Sequence, residues 1–278
     1  MSPVTLRPVA RPIITFLSDY GLEDEFVGVC HGVIAGICPQ ARVIDLTHGV
    51  PRGNVQAGAL ILRGALGYLP VGVVLAVVDP GVGGDRRAVA VRAADGRIFV
   101  GPDNGLLSLA VDAGGGASEA ADIGRSAFAL ESVSATFHGR DIFAPVAARL
   151  AAGVALAGVG EPFGADSLVA LELPRPDLVG DRRLVAHALN VDRFGNVQLD
   201  VDATAIEQLG LSPGREVELE TADGVAARAR FVRTFGDAGT DELLLYEDSS
   251  RRLAVAVNQG DAAARLGLAI DDPLRITL

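Results

Sequence analysis

Asp79 and Arg86 flank a glycine-rich stretch, Val77-Val78-Asp79-Pro80-Gly81-Val82-Gly83-Gly84-Asp85-Arg86-Arg87. Three glycines and a proline at 80–84 let the backbone turn tightly and leave space for a ligand to come close. A carboxylate and a guanidinium beside such an approach suit a polar binding loop, although the same composition also suits a solvated turn. Other polar groups follow apolar runs in the same way: Asp19 in Ser18-Asp19-Tyr20-Gly21, His48 after Arg42 to Thr47, and His138 in Ser134 to Asp141. His138 precedes a helical pattern, Ile142 to Ala152, so it falls near a helix N-terminus, where the local field favours anions and a neutral imidazole. His31 and His187 lie in apolar segments and read as structural.

The elements that must carry these groups alternate. Ile13 to Leu17 reads as a buried strand. Asp24 to Ile37 reads as a helix with Phe26, Val29, Val33 and Ile37 on one face and Glu23, Asp24 and Glu25 in its first turn. Arg42 to Thr47 is a second strand, Asn54 to Leu66 a helix capped by Asn54, and Val71 to Val78 a third strand. This is the pattern of a doubly wound α/β domain, in which ligands bind beyond the carboxyl ends of the strands. Asp19, His48 and Asp79 are therefore expected on one rim. Ala88 to Val91 and Arg97 to Val100 read as further strands, Gly101-Pro102-Asp103-Asn104-Gly105 as a turn, and Ala113 to Ala121 as a surface loop.

Prolines at 162, 174 and 176 end that pattern, and the domains are expected at 1–178 and 179–278. Beyond them short strands recur at Leu184 to Leu189, Val197 to Val201, Glu216 to Glu220, Ala226 to Phe231, Glu242 to Tyr246 and Leu253 to Val257, with one helix at Ala203 to Leu209. A smaller antiparallel β-barrel or sandwich is expected there.

Composition narrows the partners. A net charge of -11 with no basic run argues against nucleic acid, and a small organic ligand, including a cationic one, fits better. Cys30 and Cys38 read as reduced core residues, which points to a cytoplasmic location. Met1 to Pro12 lacks an apolar signal region and no run of ~18 apolar residues occurs, so neither secretion nor a membrane partner is expected. No H-x-x-x-H or C-x-x-C spacing suggests a metal.

Several motifs occur in order: Ser18-Asp19-Tyr20-Gly21, Asp79-Pro80-Gly81-Val82-Gly83 with Arg86, Pro102-Asp103-Asn104-Gly105-Leu106-Leu107, Phe137-His138-Gly139-Arg140-Asp141-Ile142-Phe143-Ala144-Pro145, Phe194-Gly195-Asn196 and Ala256-Val257-Asn258. Together they resemble the S-adenosylmethionine (SAM) hydroxide adenosyltransferases, the SAM hydrolases related to the fluorinase and chlorinase, from about Ile13 to the end of the chain. The resemblance implies displacement at the ribose C5′ of SAM by water or hydroxide, giving adenosine and L-methionine with no cofactor. A sulfonium leaves as a neutral thioether, so the protein has to supply an oriented, partly desolvated oxygen nucleophile.

By the same resemblance Asp79, Arg86 and His138 form the water-activating set: the arginine orients the nucleophile, the histidine accepts a hydrogen bond or proton, and the aspartate fixes the other two. Asp19 is implied as the ribose clamp, Phe194 and Phe235 as the faces about the adenine, Asn196 as the reader of its edge, and Asp192 and Ser249 as holders of the methionine end. Asp192 could equally cap its own turn. Asp248-Ser249-Ser250-Arg251-Arg252 and Gln198-Leu199-Asp200 depart from the commoner family pattern. Family members are trimers with substrate held between the N-terminal domain of one subunit and the C-terminal domain of the next, so a homotrimer is implied. The alternatives are a SAM-dependent halogenase, disfavoured because Asp79 would place a negative charge at the halide's seat, and a non-catalytic adenosine or SAM sensor, which would not need the three polar residues.

Overall fold

The structure, a computed structural model, describes residues 11–179 and 183–278. Most of Met1 to Pro12, and with it the reading of that segment, lies outside the described residues. The chain divides into two compact units after Leu171. The boundary expected at 178 would cut a strand of the second unit, because the prolines at 174 and 176 lie inside that unit.

Among the described residues the first unit holds a mixed sheet of β1 (Ile13–Ser18), β2 (Arg42–Thr47), β3 (Val73–Val77), β4 (Ala88–Ala93), β5 (Ile98–Pro102), β6 (Ala117–Asp122) and β7 (Glu161–Pro162), in the order β2-β1-β3-β5-β4-β6-β7. β2, β1, β3 and β5 are parallel, whereas β4 runs antiparallel to β5 and β6. Alternation along β3 sends Val73, Leu75 and Val77 into one core and Val74, Ala76 and Val78 into another. The first core is covered by α1 (Phe26–Ile37) and α4 (Ala144–Ala151), and the second by α2 (Val55–Ala65) and α3 (Ser108–Ala113). Strands buried on both faces need near-continuous apolar runs, which is what β3 has and, apart from the buried Thr15 and Ser18, β1 as well.

Three local readings change. α1 begins at Phe26, so Glu23, Asp24 and Glu25 precede its first turn, and its buried residues are Val27, Cys30 and Ile34 rather than the stripe through Phe26, Val29 and Val33. A helix apolar on nearly all sides does not reveal its inner face by periodicity. Ala113 to Ala121 is not a loop throughout: Ala117–Asp122 forms β6 along β4, with Ala120 and Ala121 buried. Ile142 lies in a π-helical turn, Gly139–Phe143, that precedes α4. Cys30 and Cys38 are buried and unbridged, and burial pushes the Cys30 thiol up to about 12.

The second unit contains β8 (Asp177–Val179), β9 (Arg183–Val191), β10 (Val197–Asp202), β11 (Glu216–Thr221), β12 (Ala226–Phe231), β13 (Leu243–Glu247), β14 (Arg252–Val257) and β15 (Pro273–Thr277), with short helices α5 (Ala203–Gln208) and α6 (Ala262–Leu266). The order β10-β14-β13-β12-β11-β15-β9, with β9 pairing back to β10, closes a barrel, and β8 flanks β9. The strand β15 at the chain's end pairs with both β11 and β9 and makes this closure possible. The barrel is antiparallel except for one pair: β12 and β13 are parallel. That pairing requires a crossover, and the crossover carries a short 3₁₀ turn at Phe235–Asp237, held by a capping box between Thr234 and Asp237. His187 bonds Asp200 through Nδ1 at 2.8 Å, the structural role expected of it.

Candidate active site

The parallel strands of the first unit deliver their polar ends to one edge of its sheet. Asp19 follows β1, His48 follows β2 and Asp79 follows β3, while Arg86 precedes β4, whose Ala88 pairs with Pro102 at the end of β5. The 78–87 loop thus leaves and re-enters the sheet on the same edge. Two buttresses hold it. Asn104 Nδ2 donates to the carbonyl of Val78 at 2.9 Å, and Arg87 Nε donates to the buried Asp103 at 2.8 Å while its guanidinium lies over the Phe163 ring.

Asp79, Arg86 and His138 meet in a linear order with the guanidinium in the middle. Arg86 grips Asp79 as a fork, Nε to Oδ1 at 2.9 Å and Nη2 to Oδ2 at 2.5 Å, and Nη2 also donates to His138 Nδ1 at 2.8 Å. The guanidinium stands 5.3 Å from the centre of the Phe143 ring. An arginine can only donate, so Nδ1 must be the acceptor and the neutral imidazole carries its proton on Nε2. Burial and then the Arg86 charge hold the His138 pKa below its ordinary value of 6.5, against the opposing pull of Asp79 and Asp141.

Asp79 and His138 line a cleft of about 480 Å³ together with Asp19, Tyr20 and Gly53. Arg86 lines a neighbouring cleft that shares His138, so it holds the other two from behind. Asp19 Oδ2 accepts from the Gly53 amide at 2.8 Å, which fixes the plane of its carboxylate towards the cleft.

Tyr20, Arg52, Gly53 and Thr136 also line this cleft and had no assigned role, although Tyr20 sits within the first motif. Burial, reinforced by Cys30, Asp19 and Asp79, raises the Tyr20 hydroxyl well above its ordinary range, so it remains a donor. A Cβ at Gly139 would collide with the Tyr20 oxygen, so only glycine lets that ring pass the π-helical turn. Gly139→Ala is expected to destabilise the protein by ~1–3 kcal/mol by overpacking and to lower turnover, because Tyr20 and His138 both have to shift. Thermal unfolding and steady-state rates on the same sample measure the two effects, and a variant unchanged in both would remove the constraint placed on Gly139.

A second cleft, of about 600 Å³, lies in the barrel unit and is lined by Asp192, Phe194, Asn196, Phe235, Val257, Gln259 and Gly260. Phe194 is 68% exposed on the rim of this cleft. Phe235 packs on Tyr246 at 5.0 Å between ring centres, a contact not anticipated from the sequence. Burial, with Asp192 and Asp248 nearby, raises the Tyr246 hydroxyl to about 12.

Asp192 caps its own turn: Oδ1 accepts from the Phe194 and Asn196 amides and Oδ2 from Asn196 Nδ2. The Asn196 side chain therefore has its carbonyl left for a ligand edge. Ser249 is exposed on the β13–β14 turn and is not among the residues lining this cleft.

Comparison with known proteins agrees with this division into two units. Residues 14–160 match the model of the SAM hydroxide adenosyltransferase N-terminal domain, and residues 186–275 that of the C-terminal domain. A protein of Salinispora tropica named (R)-S-adenosyl-L-methionine hydrolase is 49% identical, over 96% of this chain and 98% of its own. A fluorinase of Nocardia brasiliensis is 32% identical over 91% and 92%. A crystal structure of an uncharacterized conserved protein from Thermotoga maritima superposes with a TM-score of 0.87 at 36% identity, covering 95% of this chain and 100% of that one.

Proposed function

Because the chain belongs to the SAM hydroxide adenosyltransferase family, we propose that it hydrolyses S-adenosyl-L-methionine to adenosine and L-methionine by attack of water at the ribose C5′. The observation that carries this reading is the Asp79–Arg86–His138 chain, whose two ends face a cleft that also holds Asp19. A water in that cleft donates one hydrogen to Asp79 and accepts from His138 Nε2, which leaves a lone pair for C5′. As the C5′–O bond forms, the C5′–S bond breaks, its electron pair returns to sulfur, and the oxygen's surplus proton passes to Asp79. The leaving thioether is neutral, so no acid is needed on its side. Since His138 Nδ1 is occupied by Arg86, the imidazole serves as a donor and the carboxylate as the base.

Incubation with SAM, with and without chloride or fluoride, tests the assignment by chromatography: adenosine is expected under all conditions. A 5′-halo-adenosine would favour the halogenase, and no turnover would favour a sensor. The names of relatives at 41–49% identity specify the (R) sulfonium epimer, so (R)-SAM is proposed as the preferred substrate and both epimers belong in the assay.

The His138 environment sets a pH dependence. Its pKa in the folded protein is depressed, so the neutral donor form persists down to below pH 6.5. Turnover is expected to be level above that value and to fall on acidification beneath it, as an imidazolium loses the Arg86 hydrogen bond. The unfolded chain takes the proton first, so the stability associated with this group is present above its ordinary pKa and is lost as pH falls through the folded one. A fall on acidification that already begins above 6.5 in wild type, or one that persists unchanged in His138→Gln, would contradict this assignment.

SAM offers a ribose and reaction centre to the first cleft and an adenine to the second. We infer, as the resemblance implies, a homotrimer in which neighbouring subunits contribute the two clefts of one site. Mixing an Asp79→Ala chain with a Phe194→Ala chain is then expected to restore part of the activity that each lacks alone. Light scattering that reported monomers would refute the trimer.

A further inference from the structure

Outside the proposed catalytic chain, three metal-binding side chains converge from separate elements: His31 on α1, Asp45 on β2 and His48 in the turn after β2. His31 Nε2 lies 2.9 Å and His48 Nε2 3.1 Å from the same oxygen, Asp45 Oδ1, and all three ligand atoms fall within 4.8 Å of one another. Ligand atoms ~2.0–2.2 Å from one ion stand no more than ~4.4 Å apart, and the 2.9 and 3.1 Å separations lie within that limit.

The His48 imidazole carries the argument further. Its side chain is only 3% exposed, and Nε2 has no hydrogen-bond partner among the described residues. Asp45 Oδ1 is close but off the direction that a hydrogen bond needs. Buried polar atoms are rarely left in this state. On the other side of the ring, Ser18 Oγ sits 2.7 Å from Nδ1. With the serine accepting the Nδ1 proton, the Nε2 lone pair points into the cluster, the arrangement by which an outer partner sets a histidine ligand's tautomer. Phe16 packs edge-on against the His48 ring at 4.6 Å and tilted against the His31 ring at 6.1 Å, fixing both planes. The His31 and Asp45 side chains are 34% and 44% exposed, so the outer side is open to solvent ligands and to an entering ion.

We propose that His31, Asp45 and His48 form a binding site for a divalent transition-metal ion of the zinc, cobalt or nickel class. Two imidazoles and one carboxylate select these ions over magnesium and calcium, which require mostly oxygen ligands. The ion would join α1 to β2 just behind the ribose-facing turn, since the His48 carbonyl accepts the Gly21 amide at 2.8 Å and Ser18 immediately precedes Asp19. A search for ligand spacing along the chain misses the site because its members are 14 and 3 residues apart on three segments.

The test uses the full chain stripped with EDTA and titrated with cobalt(II), read by its visible ligand-field absorption, and with zinc(II), read by calorimetry. One tight equivalent per chain is expected, with a rise in the unfolding temperature that magnesium does not reproduce. His48→Ala removes a buried ring and risks the fold, so the deciding variants are His31→Ala and Asp45→Asn, on the open side. Each is expected to weaken cobalt binding ~10-fold or more and to abolish the zinc-dependent shift. Absence of a stoichiometric site in wild type, or equal affinity in wild type and both variants, overturns the proposal and leaves Asp45 as the partner of a structural His31.

Discussion

Arg86→Ala is expected to lower turnover ~10²-fold or more while leaving SAM binding within a few-fold of wild type. Arg86 holds both Asp79 and His138, which line the cleft proposed for the reaction, without itself lining it. Its loss releases the plane of the carboxylate and the tautomer of the imidazole together, and a displacement of ~1 Å at a reacting group costs on the order of 10²-fold. Stability falls as well. The Asp79 side chain is 6% exposed and would lose its counter-charge, a change that typically costs ~3–5 kcal/mol.

Arg86→Lys separates the two effects. It keeps the positive charge but cannot fork onto Asp79 and reach His138 at once, so it should recover more stability than rate. Calorimetric SAM binding, thermal unfolding and single-turnover rates on the three proteins decide the matter. A turnover within about 3-fold of wild type in Arg86→Ala would mean that the linear chain does not position the nucleophile.

Asp19→Ala is expected to weaken SAM binding ~10²-fold or more with a smaller effect on the chemical step. A carboxylate accepting two ribose hydroxyls makes two charge-assisted hydrogen bonds, each worth ~1.5–3 kcal/mol. The Gly53 amide already fixes Oδ2, so the carboxylate is oriented before substrate arrives. The specific control is a 2′-deoxyribose analogue of SAM. Wild type should lose affinity for it and Asp19→Ala should lose little more, because the two changes remove the same contact. Additive losses would place the ribose elsewhere, and so would an Asp19→Ala variant altered in kcat alone.

Much of this protein is legible in its sequence. The apolar runs of β1 and β3, the Asn54 cap, which accepts the Ala57 amide at 2.8 Å, and the order of the motifs are local properties. Each is set by backbone preference, period or a few adjacent side chains, and a linear sequence records those directly. The placing of Asp19, His48 and Asp79 on one edge also followed, because parallel strands joined by helices must end on the same side.

What tertiary structure decided are matters of which distant groups touch. The guanidinium lies between the acid and the imidazole; the expected arrangement put the aspartate in contact with both. The Asp192 carboxylate caps its own turn. The barrel closes through β15, and β12 meets β13 in parallel. His31, Asp45 and His48 share one oxygen. Each outcome depends on sheet order, the inner face of a helix or the space left by a neighbour. Those are settled by close packing over the whole unit, where residues far apart in the chain compete for the same volume and the same hydrogen bonds.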